Sequence, residues 1–401
     1  MTGGSRTALP LAGIRVIEVA QYVAGPLAGV LLAELGAEVI KVEPPGGDAY
    51  RQTMPVGEGF GRFFLPLNRG KRSVVLDLKT DVGRTALRRL VTSADVILHN
   101  SPAARAESFG LGWNELHTSF PRLVLGVVTS FGPEGELARA PAYDLVAQAR
   151  SGLLTSHASP GDTVPVRAGG IPIADLTAGF LLTSGVLAAL VGATARGLGR
   201  RVEVSLLAAA LAAQIQDLVW LDDDPQGSSP VARHADLAAR ADEIALGLAL
   251  NPYYRCYAAA DGFVAVACLN LGQREAFAAE LGLDDPTIAA PDLVPDDAEL
   301  RERKRALTTG VVARFGEQTV AEWVARLSEL GVPAGPVHAR ERALLDPQVL
   351  ANGFLTAVAE PGLGQTTMLG PVFGLEGVAP LGPAPALGAD TEAVLAEAGI
   401  L

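Results

Sequence analysis

The chain has 401 residues, of which 49% are hydrophobic and 19% charged, with a formal net charge of −12. This length and apolar content suit a globular protein of two domains and exclude a disordered chain. The acidic balance counts against a nucleic-acid binder, which needs a basic face, and any polyanionic ligand requires a local basic cluster.

In chain order, Ile14 to Ala20 reads as a strand, and Gln21-Tyr-Val-Ala-Gly-Pro26 as a turn with Pro26 at the first helical position. A helix runs from Leu27 to Leu35, and Glu38 to Glu43 is a second strand closed by Pro44-Pro45. This βαβ unit predicts a parallel sheet with helices on its faces. A nicotinamide cofactor is disfavoured, because the turn offers Ala24, Gly25 and Gly29 rather than the G-x-G-x-x-G fingerprint. Arg69, Lys71, Arg72, Lys79, Arg84, Arg88 and Arg89 form the densest basic stretch. It reads either as a solvated face or as a seat for phosphates. No Walker A motif is present, so it is not an ATP P-loop.

Further strands fall in the tail of Asn68–Lys79, at Ala94–Asn100, at Arg122–Val128 and at Val202–Val204. Tyr143 and Asp144 open a short helix with an acidic first turn. A long apolar run then follows Asp175, without another charge until Arg196. It is too long for a strand and reads as a buried helix with Asp175 at its N-terminus. Free N–H groups and the helix dipole there favour an ionised carboxylate, which suits a nucleophile. Asp is also a good N-cap, so the same residue could simply close its helix. The run could span a bilayer by length, but its Ala, Gly, Ser and Thr content favours close packing in a core, and no membrane segment is expected.

Leu206 to Leu221 reads as a second apolar helix, and Asp222 to Pro230 is the clearest linker. Tyr253 to Cys268 is a hairpin around Asp261-Gly262, followed by helices at Gln273–Leu281, Glu299–Phe315 and Val320–Leu330. The expected organisation is a large domain over 1–221, a linker over 222–236, a small α+β domain over 237–330, and a return segment over 331–401 that packs on the large domain. Cys256 and Cys268 suit buried thiols in a reducing cytoplasm. Five scattered histidines give no metal-ligand spacing, so no metal is expected.

In their order along the chain these stretches resemble the family III CoA-transferases of the CaiB/BaiF type, which include formyl-CoA and carnitine CoA-transferases and α-methylacyl-CoA racemase. The carrying motifs are Leu11–Val19, Val23–Pro26, Gly36–Glu43, Asn68–Ser73 with Leu76–Lys79, Tyr143–Gln148, Gly199–Leu207 and Gly331–Val337. The resemblance implies a Rossmann-like large domain and a homodimer of interlocked, ring-like chains. It implies CoA moving from an acyl-CoA to a small carboxylic acid through an anhydride and an aspartyl-CoA thioester on Asp175. It places CoA contacts at Gln21, Tyr22, Val23, Ala24, Leu76, Lys79, Asn100 and Tyr143. Asp144 matches a catalytic glutamate, one methylene longer. Gly272 is the only glycine where formyl-CoA transferase has a glycine-rich lid. Two departures stand out: Asn100-Ser-Pro-Ala-Ala-Arg105 replaces the family's Asn-Phe-Arg-Pro-Gly, and Tyr143 and Asn270 replace the racemase's proton carriers. A racemase or isomerase of the same fold, or a silent CoA-binding subunit of a hetero-oligomer, are the alternatives.

Overall fold

The computed structural model describes residues 9–157, 164–165, 170–216, 218, 237–292 and 294–400. The expected linker over 222–236 lies outside them, as do Ala168 and Gly169 before the Asp175 helix. The chain divides into two compact units. One comprises Met1–Leu154, Arg167–Val219 and Pro347–Leu401, and the other Thr155–Val166 and Trp220–Asp346.

The first unit is built on a six-stranded sheet in the order β5-β2-β1-β6-β7-β8. Its strands are β1 (Arg15–Val19), β2 (Glu38–Glu43), β5 (Arg72–Val75), β6 (Val96–His99), β7 (Val124–Thr129) and β8 (Arg201–Ser205), and every pairing is parallel. Between β2 and β5 lies a small hairpin, β3 (Pro55–Gly57) and β4 (Phe60–Gly61), which the sequence reading did not anticipate. Alternation along each strand divides the core in two. Val16, Val39, Val96 and Val124 face one side, packed by α1 (Ala24–Glu34), α7 (Ile173–Arg196) and α8 (Leu206–Ala212). Ile17, Ile40, Ile97 and Leu125 face the other, packed by α3 (Asp81–Val91) and by the helix over Thr391–Glu397. A sheet covered on both faces explains why its strands read as near-continuous apolar runs.

The α1 helix begins at Ala24, so Pro26 is its third residue rather than its first. The position is still tolerated, because first-turn N–H groups have no intrahelical acceptor to lose. Among the described residues α8 stops at Ala212 and continues only as a turn to Gln216, short of the helix expected to Leu221. The 24-residue α7 is long and apolar enough to cross a membrane, yet half of its most apolar window is buried.

The second unit holds a three-stranded antiparallel sheet in the order β11-β10-β9, from β9 (Tyr254–Ala258), β10 (Phe263–Ala267) and β11 (Ala334–Pro336). Its helices span Leu237–Leu250, Leu271–Leu281, Ala298–Phe315 and Val320–Glu329. Phe315 stacks between Tyr257 and Trp323, with centroids 4.1 and 4.3 Å away. Cys268 is buried, but Cys256 is exposed, because strand alternation turns it away from the core that takes Tyr257. The expectation of two buried thiols is corrected for Cys256.

In the first unit the C-terminal segment forms a hairpin, Leu355–Glu360 with Gly364–Leu369, and then docks its last helix on the sheet edge. There Ser73 N–H donates to Asp390 Oδ2 (2.8 Å) and Asp390 N–H donates to the Ser73 carbonyl (3.0 Å).

Candidate active site

Strand order reverses at β1, which has β2 on one side and β6 on the other. In open α/β sheets ligands bind beyond the carboxyl ends of strands at such a switch point. Gln21–Ala24 follows β1, Leu76 and Lys79 follow β5, and Asn100 follows β6, so one sheet edge carries all of these predicted contacts.

Asn100 ties the switch point together. Gln21 N–H donates to Asn100 Oδ1 (3.1 Å), and Asn100 Nδ2 donates back to the Gln21 carbonyl (2.7 Å). Tyr22 follows with φ +68°, one of two described non-glycine residues in the left-handed region. Gly25 has no room for a side chain, since a Cβ there would lie 2.4 Å from that of Ala20. Val23 and Ala24 are buried. Leu76 is also a core residue, whereas Lys79 is exposed.

Helix α7 approaches this turn closely. A Cβ on Gly179 would sit 3.0 Å from the Ala24 carbonyl oxygen and 2.7 Å from Leu27 Cδ2. Gly179 lies one turn after Asp175 on the same helix face, so the missing side chain lets the two helices meet beside the carboxylate. Asp175 is half-buried and is the third residue of α7.

The cap of α7 comes from elsewhere. Asp144, the buried first residue of α6 (Asp144–Arg150), accepts through Oδ1 from the N–H groups of Ala174 (2.9 Å) and Asp175 (3.3 Å). Its Oδ2 accepts from Gln148 Nε2 (2.7 Å). A side-chain cap for α7 is thus contributed from 30 residues away, and Asp175 itself lies inside the first turn. The cap makes Asp144 a holder of the Asp175 helix.

Tyr143, 65% exposed, precedes Asp144 and packs edge-on against Tyr22, 5.5 Å between centroids. The hydrogen bond with Tyr143 leads the causes that raise the Tyr22 phenol above its usual pKa, followed by burial. The Tyr22 turn, the start of α6 and the start of α7 therefore converge on one place. Gly272 belongs to the other unit. It lies in the first turn of the helix over Leu271–Leu281, and a Cβ there would meet only Asn270 Oδ1 at 3.5 Å. Within its own unit nothing requires glycine at that position.

The basic stretch divides by residue. Arg69 is buried against Glu34, Lys71 is buried against Glu18, and Arg72 pairs with Glu38 and Glu397. Arg84 and Arg88 pair with Asp81 and Glu115. Neither a solvated face nor a phosphate seat describes Arg69 and Lys71, which are structural charges. Lys79 remains exposed at the strand edge, where an anion can reach it.

Sequence reasoning missed the charges beneath the turn. Glu18, Lys41 and Asp48 are fully buried. Burial alone would lower the Lys41 pKa, but the Glu18, Asp48 and Glu43 carboxylates raise it above the usual lysine range. Burial pushes Lys71 down to about 8, with Glu18 opposing and Lys41 adding to the shift. Glu43 is held below the usual carboxylate range: burial works against this, but its bonds to Arg51 and Ser73 and the charge of Lys41 prevail. A glutamate and a lysine inside strands covered on both faces were the available signal.

With this geometry in place, the comparisons give the class. The family model of CoA-transferase family III matches residues 11–391. The chain belongs to that family and is a CoA-transferase. A probable fatty acyl-CoA transferase, Rv3272 of Mycobacterium tuberculosis, is 32% identical over 91% of each chain. The succinate–glutarate CoA-transferase of Agrobacterium fabrum is 34% identical, over 86% of this chain and 84% of its own. Among solved structures, a D175A mutant of Rv3272, numbered as in that protein, matches with TM-score 0.78 at 27% identity, covering 96% of this chain and 98% of that one. A CaiB/BaiF family protein from Brucella suis matches with TM-score 0.76 at 28% identity, over 98% of this chain and all of its own.

Proposed function

We propose that the enzyme moves CoA between an acyl-CoA and a free carboxylic acid with Asp175 as covalent nucleophile. The observation that supports this reading is the position of Asp175 in the first turn of α7, on the helix face that Gly179 brings against the switch-point turn. The Asp175 carboxylate attacks the thioester carbonyl; a C–O bond forms, the C–S bond breaks, and a mixed anhydride and CoA thiolate result. The thiolate attacks the Asp175 carbonyl of that anhydride, giving an aspartyl-CoA thioester and releasing the donor acid as carboxylate. An acceptor carboxylate then attacks this thioester, and the same two steps in reverse order yield the new acyl-CoA and free Asp175. One thioester replaces another, so the exchange needs no ATP.

The site has to supply positioning and stabilisation of transient oxyanions. The positive end of the α7 dipole favours the ionised carboxylate at Asp175. Lys79 is suited to a CoA phosphate at the strand edge. Racemisation is less well supported. It needs groups that exchange protons on two faces of an α-carbon, whereas Asp144 is buried and committed to three N–H donors. Turnover with succinyl-CoA, acetyl-CoA and a fatty acyl-CoA against a panel of acids, compared in wild type and Asp175→Ala, tests the reading. Loss of turnover with an unchanged circular dichroism spectrum is expected; wild-type turnover in the variant would refute it.

The reading includes a homodimer. Phe180, Leu181 and Val191 of α7 are exposed, Val191 to 72%, which is the pattern of a helix completed by another chain.

A further inference from the structure

The charges below the Ala20–Ala24 turn take no part in the proposed transferase chemistry. Lys41 Nζ donates to Glu18 Oε1 (2.9 Å) and is 2.8 Å from Asp48 Oδ2. Lys71 Nζ donates to Glu18 Oε2 (2.7 Å) and Asn68 Oδ1 (3.0 Å). The two carboxylates and two ammonium groups balance in charge, and none of them reaches solvent. Burying such charges is expensive, and buried ion pairs often stabilise a protein no better than apolar residues of similar volume. Stability alone is therefore a poor reason for the cluster.

Its remaining bonds point to another role. Lys41 Nζ donates to the Ala20 carbonyl (2.8 Å), and Lys71 Nζ to the Pro26 carbonyl (2.9 Å). Asp48 Oδ1 accepts from Tyr22 N–H (3.3 Å) and Tyr50 N–H (2.9 Å). With the Asn100 amide on both polar groups of Gln21, every backbone donor and acceptor from the Ala20 carbonyl to Tyr22 N–H is engaged. A bulky residue at φ +68° is strained and persists only where its surroundings over-determine it.

We infer that the Glu18–Lys41–Asp48 cluster is a positioning device that holds Tyr22 in its left-handed conformation, and that Asp48 thereby sets the affinity for CoA. This rests on the proposed role of Gln21–Ala24 as a CoA contact. Asp48 is a positioning residue, acting through the turn.

Calorimetric titration of the full-length protein with CoA tests it, because a merely structural defect lowers the binding stoichiometry and the melting temperature while leaving Kd alone. Asp48→Ala is expected to weaken Kd about tenfold at unchanged stoichiometry. Asparagine tolerates the left-handed region better than tyrosine, so in a Tyr22→Asn background the same Asp48 substitution should weaken Kd by less than about threefold. An unchanged Kd in folded Asp48→Ala, or an undiminished effect in the Tyr22→Asn background, would overturn the inference. Should Asp48→Ala fail to fold, Asp48→Asn takes its place. Its single carbonyl oxygen cannot serve both Lys41 and Tyr22, so a wild-type Kd there would also overturn it. The proposed function is tested separately, by a covalent adduct on Asp175, whereas a wild-type protein that bound no CoA would remove both.

Discussion

Asp144 and Asp175 carry the same functional group in different surroundings. Asp144 is buried and holds three N–H donors, while Asp175 is half-buried at the mouth of its helix. Asp144→Ala should strand the first-turn N–H groups of α7 and destabilise the protein by about 1–3 kcal/mol, read as a lower urea midpoint. An unchanged midpoint would show that the cap contributes nothing. His99 offers a pH test. Burial, with the charge of Arg201 adding and a backbone bond at Ser101 opposing, pushes its pKa down to about 4. The folded pKa lies below the unfolded value of about 6.5, so the unfolded chain takes up the proton first as pH falls. The stability associated with neutral His99 is complete above pH 6.5 and is lost towards pH 4, by roughly 3 kcal/mol in all. Removing the titration in His99→Gln should flatten the fall in unfolding free energy across that window; equal slopes in both proteins would contradict this.

Gly179 decides how closely α1 and α7 can approach. Gly179→Ala would press a methyl group onto the Ala24 carbonyl, which belongs to a buried helix and cannot simply swing away. The expected result is a loss of about 1–3 kcal/mol together with reduced turnover, measured by thermal melting and steady-state kinetics. Wild-type values for both would show that the close approach is not needed. The elements differ in how plainly the sequence announces them. The six parallel strands were legible because burial on both faces leaves runs such as Val16-Ile-Glu-Val19 and Val96-Ile-Leu98. The hairpin over Leu355–Leu369 was missed because the residues of its second strand are mostly exposed and polar, with Gln365-Thr-Thr367 at its centre. The short Pro55–Gly61 hairpin was missed because its strands are too brief to show a period. The resemblance pointed to Asp144, but its capping bond to α7 is long-range and leaves no local pattern. Glu18 and Lys41 look like the polar alternation of an exposed strand until the sheet is seen to be covered on both sides.

At the scale of the whole molecule, one unit carries both the switch-point turn and the Asp175 helix. The exposed apolar stripe of α7 continues away from that place, through Leu181 and Ala188 to Val191. A dimer of identical chains should therefore appear in light scattering at micromolar concentration, and a charge introduced by Val191→Glu should weaken it; a wild-type monomer would contradict that expectation. The central claim is covalent chemistry on one carboxylate. Its most direct measurement mixes the enzyme with an acyl-CoA that it turns over, without an acceptor acid, adds hydroxylamine, and maps the peptides by mass spectrometry. A hydroxamate on Asp175, absent when CoA ester is withheld, is the expected result. Turnover in the same preparation with no modification of Asp175, or with the modification on another residue, would contradict the account.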